Sequence, residues 1–215
     1  MEPWEIKESI FEHPFTCIIA GPTQCGKSYL LSKILAQNTM LIQPNIQRII
    51  YCYDISQPTY IDNESIQPRI EYQKGLPIID NIDSKKNNLI ILDDLMDKCY
   101  QNVAIQNLFT KESHHNNTSV IFITQNLFMK EKCQRTMSLN SHYLILFKNP
   151  RDRMAISILG GQMYHGIQGG RKFLIEAFID ATKEPHGYLF IDLKQNTKEK
   201  ERIQTGITQG EWRNI

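Results

Sequence analysis

The sequence lacks the features that mark membrane and secreted proteins. No uninterrupted apolar run in its 215 residues approaches the ~18 residues that a membrane-spanning helix needs. Glu2, Glu5, Lys7 and Glu8 interrupt the first residues, so the chain does not open with the apolar stretch of a signal peptide. We therefore expect an intracellular protein with no membrane partner.

Paired cysteines are also missing. The five cysteines are an odd number and none belongs to a C-x-x-C pair; they are Cys17, Cys25, Cys52, Cys99 and Cys133. Disulfide frameworks and zinc sites usually show paired spacing. The sequence therefore predicts reduced thiols, with neither a disulfide framework nor a zinc site.

The chain has almost no surplus charge, with a formal net charge of +1. It therefore has no global attraction to nucleic acid, and any DNA binding must come from a local patch. Its hydrophobic content of 41% and charged content of 22% are ordinary for a globular protein. The length suits one domain with a substantial core.

What the sequence does contain is a phosphate-binding motif. Residues 21–28, GPTQCGKS, match G-x-x-x-x-G-K-[ST]. An apolar run at 15–20 precedes the motif, and apolar residues at helical spacing follow it. The predicted unit is a buried strand, a tight loop and the start of a helix. The alternative is a chance glycine turn before a helix.

The chemistry of phosphate binding explains these residue types. Gly21 and Gly26 permit backbone angles that a Cβ forbids, and a helix N-terminus presents N–H groups to an anion. Lys27 supplies a charge for the β- and γ-phosphates, and Ser28 supplies a hydroxyl for Mg²⁺. The predicted nucleotide-binding residues are Gly21, Pro22, Thr23, Gln24, Cys25, Gly26, Lys27, Ser28 and Tyr29.

A second apolar run ends in two carboxylates. Residues 88–95 read NLIILDDL, and a continuous apolar run suits a parallel strand buried on both faces. Open α/β sheets bind ligands at the carboxyl ends of their strands. This segment is typical of a Walker B element, in which Asp93 holds Mg²⁺ and Asp94 orients or deprotonates the attacking water. The alternative is an Asp-Asp turn after a core strand.

Two later segments add candidates. The run SVIFIT at 119–124 ends at Gln125, whose amide could bond both the γ-phosphate and the attacking water, or could merely cap the strand. Six basic and two acidic residues lie between 130 and 153, a local charge of +4. This stretch is either a phosphate-facing surface or a solvated rim.

The pattern of apolar runs predicts an α/β fold in three layers, with helices on both faces of a mainly parallel sheet. We expect residues 1–193 to form one ATPase domain and residues 194–215, which are polar, to form a flexible tail. A strand at 188–193 should lie at an edge of the sheet. Gly160 and Gly161 should end a helix that begins near Met154.

Four segments taken together resemble a known family. The segments GPTQCGKS, LIILDDL, SVIFITQNLF and SLNSHYLILFKNPRD are similar to the DNA-packaging ATPases of the FtsK/HerA superfamily. The resemblance covers about residues 13–165 and is to the poxvirus-like and adenovirus-like forms of Maverick/Polinton elements and adintoviruses. The first two segments occur in very many ATPases, so the last two carry the specificity.

The resemblance implies further properties. The fold would be a P-loop NTPase of the additional-strand type, with the SVIFIT strand between the phosphate-loop strand and the Asp93 strand. Such proteins use ATP and Mg²⁺ and act as homo-oligomeric rings, pentamers or hexamers, that drive double-stranded DNA into a capsid through a vertex or portal-like partner. An arginine acts on the neighbouring subunit's ATP; Arg135 and Arg151 are both candidates. The implied location is a host nucleus, a cytoplasmic virus factory or the virion.

One departure and two alternatives remain open. Many members of the superfamily carry Glu where this chain has Asp94, and the shorter side chain puts the catalytic-base role in doubt. Another ATPase class, such as a helicase or a helicase loader, would share the first two motifs. A non-catalytic ATP-gated scaffold would share them too, although it could lose Asp94 and Gln125 without penalty.

Overall fold

The fold is built around one large sheet in a computed structural model that describes residues 10–54, 66–95, 98–99, 102–109, 116–128, 137–208 and 213–215. The strands are β1 (Phe11–Glu12), β2 (Thr16–Ala20), β3 (Ile42–Gln43), β4 (Arg48–Tyr53), β5 (Ile70–Lys74), β6 (Asn88–Asp93), β7 (Thr118–Thr124), β8 (Tyr143–Phe147), β9 (Tyr188–Asp192), β10 (Ile203–Thr205) and β11 (Arg213–Asn214). The α-helices are α1 (Lys27–Ala36), α2 (Asn38–Leu41), α3 (Val103–Asn107), α4 (Met154–Met163) and α5 (Gly170–Ala181). Short 3-10 helices cover Ile79–Asn81 and Glu199–Glu201.

Nine of these strands form the sheet in the order β11-β10-β9-β8-β2-β7-β6-β4-β5. The six strands from β8 to β5 pair in parallel, and β9, β10 and β11 pair antiparallel. β7 lies between β2 and β6, which confirms the additional-strand arrangement. β1 and β3 form a separate parallel pair.

Each face of the sheet carries its own apolar core, because successive side chains of a strand point to opposite faces. In β2, Ile18 packs in a cluster with residues of α4 and α5, whereas Ile19 packs in a second cluster with residues of α1. Buried residues of α1 such as Leu31 and Ile34 cover that second face. The predicted three-layer α/β/α fold is confirmed.

The structure corrects the predicted end of the Met154 helix. Gly160 and Gly161 do not end it, because α4 continues to Met163. A Cβ on Gly160 would lie 3.2 Å from Cα of Arg171, and one on Gly161 would lie 2.7 Å from Nη2 of the same arginine. The two glycines therefore allow α4 and α5 to pack closely, which is why they occur inside the helix.

The C-terminal segment differs from the flexible tail that its composition predicts. β10 pairs with β9, so β9 is not the edge strand that the sequence predicts. Ile203 and Ile207 are almost completely buried, and the guanidinium of Arg202 donates to the carbonyl oxygens of Asp192 and Lys194 at 2.7 and 3.1 Å. A few buried side chains and the hydrogen bonds of Arg202 therefore hold a mostly polar segment against the sheet.

Candidate functional site

The loop between β2 and α1 has the tight path that a phosphate cradle needs. Gly26 has φ 110° and Gln24 has φ 65°, both in the left-handed region. A Cβ on Gly21 would lie 2.6 Å from Cβ of Phe147 and 2.7 Å from Sγ of Cys25. Only glycine fits at position 21, and position 26 favours glycine strongly.

Lys27 lies across this loop. Its half-buried ammonium group donates to the carbonyl oxygens of Gly21 and Pro22 at 2.6 and 2.9 Å. Ser28 and Tyr29 follow in the first turn of α1, and both are exposed. The first N–H groups of a helix have no partner inside the helix. The loop therefore brings a cation, a hydroxyl and backbone donors to one small region.

Asp93 ends β6 and is held by a residue of the neighbouring strand. The hydroxyl of Tyr51, on β4, donates to its Oδ2 at 2.6 Å. Burial raises the pKa of the Asp93 carboxyl, and the nearby charge of Asp94 raises it further. The Tyr51 hydrogen bond and the charge of Lys27 act in the opposite direction. A carboxylate that is partly desolvated in this way favours a cation as its partner.

Asp94 turns the chain out of β6. Its φ of 53° is in the left-handed region, where Asp is several-fold enriched among residues other than glycine. The side chain is exposed. The predicted acidic pair is therefore divided between a half-buried carboxylate at the strand end and an exposed one just beyond it.

Gln125 lies beside the phosphate loop. Ala20 pairs with Thr124 in the β2–β7 register, and the N–H of Gly21 donates to the carbonyl oxygen of Thr124 at 3.2 Å. Gln125 follows Thr124 directly and is exposed. Asp93 pairs with Ile123 on the other side of β7. The strand order thus places Gln125 at the carboxyl ends of the strands, between the phosphate loop and the acidic pair.

A small cavity of about 30 Å³ connects this edge to the loop after β8. Gly21, Gln125, Asn149 and Asp152 are among the residues that line it. Oδ1 of Asp152 accepts from the N–H of Ala155, in the first turn of α4, at 3.2 Å. The 148–153 loop is therefore packed against the same edge as the phosphate loop.

The basic stretch is only partly described by the structure. Lys148, Arg151 and Arg153 are exposed on the loop after β8. Arg135 lies outside the described residues, as do Lys130 and Lys132. Of the two arginines predicted to act on a neighbouring subunit, the structure thus positions Arg151 alone, exposed to solvent on the loop that packs near the 21–28 loop.

Two residues of this edge have no signal in the sequence. Tyr51 reaches Asp93 because their strands pair, with Tyr51 opposite Ile91, and the partner of a strand is not visible in a single sequence. Nδ1 of His186 lies 3.1 Å from the carbonyl oxygen of Cys25 although 161 positions separate the two residues. The Asp93-Asp94 pair and His186 can be seen in the sequence, but the contacts that Tyr51 and Cys25 make with them cannot.

The fold is similar to that of solved viral packaging enzymes. The genome packaging NTPase B204 of Sulfolobus turreted icosahedral virus 2, in complex with ATP-gammaS, aligns with a TM-score of 0.55 and 14% identity over 94% of this chain and 98% of that one. The DNA-packaging ATPase B204 of Sulfolobus turreted icosahedral virus aligns with a TM-score of 0.54 and 14% identity, over 94% and 99% of the chains. At this identity the similarity establishes the fold, which is that of a P-loop NTPase.

Comparisons of sequence alone found no match. No protein-family model matches the chain, and no curated protein matches it. Among the helices that the structure describes, none is both long enough and apolar enough to cross a bilayer.

Proposed function

We propose that this protein is an ATP-driven motor that moves double-stranded DNA and packages a viral or virus-like genome into a preformed capsid. The observation that carries the proposal is the meeting of the 21–28 loop, the Asp93-Asp94 pair and Gln125 at the carboxyl ends of β2, β6 and β7. Open α/β sheets bind their ligands at this edge. The likeness in fold to viral packaging NTPases supports the motor over other P-loop classes.

The residues at this edge fit a magnesium nucleotide. Gly21 lets the loop lie against Phe147 and Cys25, where a Cβ would clash. Asp93 is half-buried with one oxygen held by Tyr51, and the exposed hydroxyl of Ser28 lies in the first turn of α1. Ser28 and Asp93 would hold Mg²⁺, Asp93 mostly through water, and the ion would neutralise charge on the β- and γ-phosphates.

Hydrolysis at this site is mainly a matter of position and charge. Lys27 contacts the β- and γ-phosphates from the mouth of the loop, and the Gln125 amide bonds the γ-phosphate and the attacking water. Asp94 accepts a proton from that water as its oxygen bonds to the γ-phosphorus. The bond from the γ-phosphorus to the β–γ bridging oxygen breaks, which releases ADP and phosphate.

A homo-oligomeric ring of five or six subunits completes the proposal. Arg151, which is exposed on the loop after β8, or alternatively Arg135 would reach the ATP of the adjacent subunit. Its charge would stabilise the negative charge of the transition state. The partners on this account are double-stranded DNA in the ring and a vertex or portal-like protein of the capsid.

Displacement of a third strand from duplex DNA tests the motor activity. We expect the wild-type protein with ATP and Mg²⁺ to strip a triplex-forming oligonucleotide from a long duplex without separating the duplex strands. Lys27→Ala should abolish the displacement. Strand separation without triplex displacement would instead indicate a helicase, and tight ATP binding without turnover in the presence of DNA would indicate a scaffold.

A further inference from the structure

His186 is attached to the phosphate loop from a distant part of the chain. The residue lies in the connection from α5 to β9, and its Nδ1 is 3.1 Å from the carbonyl oxygen of Cys25. Because a carbonyl oxygen only accepts, Nδ1 carries the proton and donates. The φ of His186 is 63°, in the left-handed region, so this backbone position is unusual for a histidine.

Gly26 allows this approach. A Cβ at position 26 would lie 3.1 Å from Nδ1 and 3.2 Å from Cβ of His186. The imidazole therefore lies directly against the backbone where α1 begins. The rest of the ring is exposed to solvent, so one edge is fixed by the loop and the remainder is open to a ligand.

The strand order places this ring on one side of the phosphate loop and the catalytic residues on the other. β6 and β7, which carry Asp93 and lead to Gln125, lie on one side of β2, and β8 and β9 lie on the opposite side. His186 precedes β9 by two residues. A nucleotide whose γ-phosphate lies beside Asp94 and Gln125 therefore directs its nucleoside end toward His186.

Tyr29 adds a second ring on this side. Its side chain is 63% exposed, and it lies three residues after Gly26, so the two positions share one side of the helix start. Nζ of Lys33 lies 5.0 Å from the centroid of the Tyr29 ring. Lys33 thus lies over one face of the Tyr29 ring, and the opposite face is left for a nucleotide base beside the start of α1.

We propose that His186 and Tyr29 form the base-side wall of the nucleotide site, where the nucleobase of ATP stacks against their rings. This inference rests on the proposed function, because it assumes that the loop binds a nucleoside triphosphate. The hydrogen bond to Cys25 holds the imidazole in place for the base. Stacking depends on the π-face that every base has, so the wall favours a nucleotide over inorganic phosphate with little choice among bases.

His186→Asn isolates the role of the ring. Asn tolerates a positive φ, and its amide can still donate to the Cys25 carbonyl, so the loop keeps its hydrogen bond and loses the ring. We expect the Kd for ATP-gammaS, measured by calorimetry, to rise about tenfold, as is typical for the loss of one base–aromatic stack. The Kd for inorganic tripolyphosphate should stay within about twofold. His165→Asn, the same change at an exposed histidine between α4 and α5, should alter neither constant.

The outcomes separate this inference from the proposed function. If His186→Asn weakens the binding of both ligands equally, or of neither, the base-side wall is wrong. If Lys27→Ala weakens the binding of both ligands, the proposed nucleotide site is still supported. If the wild-type protein does not bind ATP-gammaS, both proposals fail. Tyr29→Leu should reproduce the selective loss, and its failure to do so would also contradict a two-ring wall.

Discussion

The hydroxyl of Tyr51 donates a 2.6 Å hydrogen bond to Oδ2 of Asp93 and so ties β4 to the acidic end of β6. The bond fixes one carboxylate oxygen and leaves the other for the proposed Mg²⁺ or a water bound to it. Residues that orient a metal ligand in this way often change metal affinity by tenfold or more when they are removed. Tyr51 is therefore expected to matter for catalysis although it is not itself a predicted ligand.

Tyr51→Phe tests this relationship. Without the hydroxyl, the partly buried carboxylate of Asp93 loses its donor, and its pKa should rise further because the bond holds that pKa down. We expect ATP hydrolysis to require about tenfold more Mg²⁺ for half-maximal rate. Tyr72→Phe removes the same atom from a ring centred 5.5 Å from that of Tyr51 and serves as the control. Equal magnesium requirements in the two variants would contradict the role of Tyr51.

His13 should make stability depend on pH. The ring is buried, with Nδ1 2.6 Å from Oγ of Ser119 and Nε2 3.0 Å from Oδ1 of Asn117. Burial lowers the pKa of His13, and the hydrogen bonds with Asn117 oppose that shift. Between the lowered pKa and the ordinary histidine pKa of about 6.5, the unfolded chain binds more protons than the folded one, so stability falls as pH falls through this window.

His13→Gln should remove this dependence. The wild-type Tm should fall more steeply than that of the variant between pH 7.5 and pH 5.5 in thermal melts. His165→Gln, a change at an exposed histidine, should keep the wild-type slope. A His13→Gln protein whose Tm follows the wild-type curve would show that the buried ring does not govern stability in this range.

Single variants can distinguish the role of Arg151 from that of nearby Arg153, and mixed rings can test whether Arg151 acts on the adjacent subunit. Both side chains are exposed on the loop after β8. If Arg151 acts on the adjacent subunit, Arg151→Ala should reduce ATP turnover at least ~100-fold, since such arginines contribute ~10³–10⁵ in rate, while Arg153→Ala should have little effect. Adding Arg151→Ala subunits to wild-type protein should lower the rate more than dilution does.

Two other outcomes would change the role assigned to Arg151. Full activity of Arg151→Ala together with loss of activity in Arg135→Ala would assign the role to Arg135. A simple dilution effect in the mixed rings would show that the arginine acts within its own subunit.

The C-terminal strand should contribute strongly to stability. Ile203 is 2% exposed in β10 and belongs to the core cluster that includes Leu174 of α5. Ile203→Ala should lower the free energy of unfolding by ~2–5 kcal/mol, measured by denaturant titration. Ile179→Ala, at a position that is 63% exposed, should cost less than ~1 kcal/mol. Equal effects would mean that residues 203–205 are not part of the core.

Local signals explain how much of this molecule could be predicted from its sequence. β2, β6, β7 and β8 are buried on every apolar position, and such strands appear as continuous apolar runs. The phosphate loop is a short motif with fixed spacing, so its place between β2 and α1 was predictable. The position of β7 between β2 and β6 came from family resemblance, because the order of parallel strands has no local signal.

The remaining features depend on contacts between distant parts of the chain. Gly160 and Gly161 look like a helix end, but the approach of α5 makes them interior residues. Residues 194–215 look like a solvated tail because few of their side chains are apolar, yet all three residues of β10 are buried, and so is Ile207 in the following loop. The contacts of Tyr51 and His186 likewise depend on which strands become neighbours.

Steady-state ATP hydrolysis, measured with and without duplex DNA at low and moderate salt, tests the central claim most directly. The comparison is between the wild-type protein and Asp94→Asn, which keeps the size of the side chain and removes its base. We predict strong stimulation by DNA that weakens as salt rises and is lost in Asp94→Asn. Turnover that ignores DNA, or that persists in Asp94→Asn, would contradict a DNA motor that hydrolyses ATP at the ends of β2, β6 and β7.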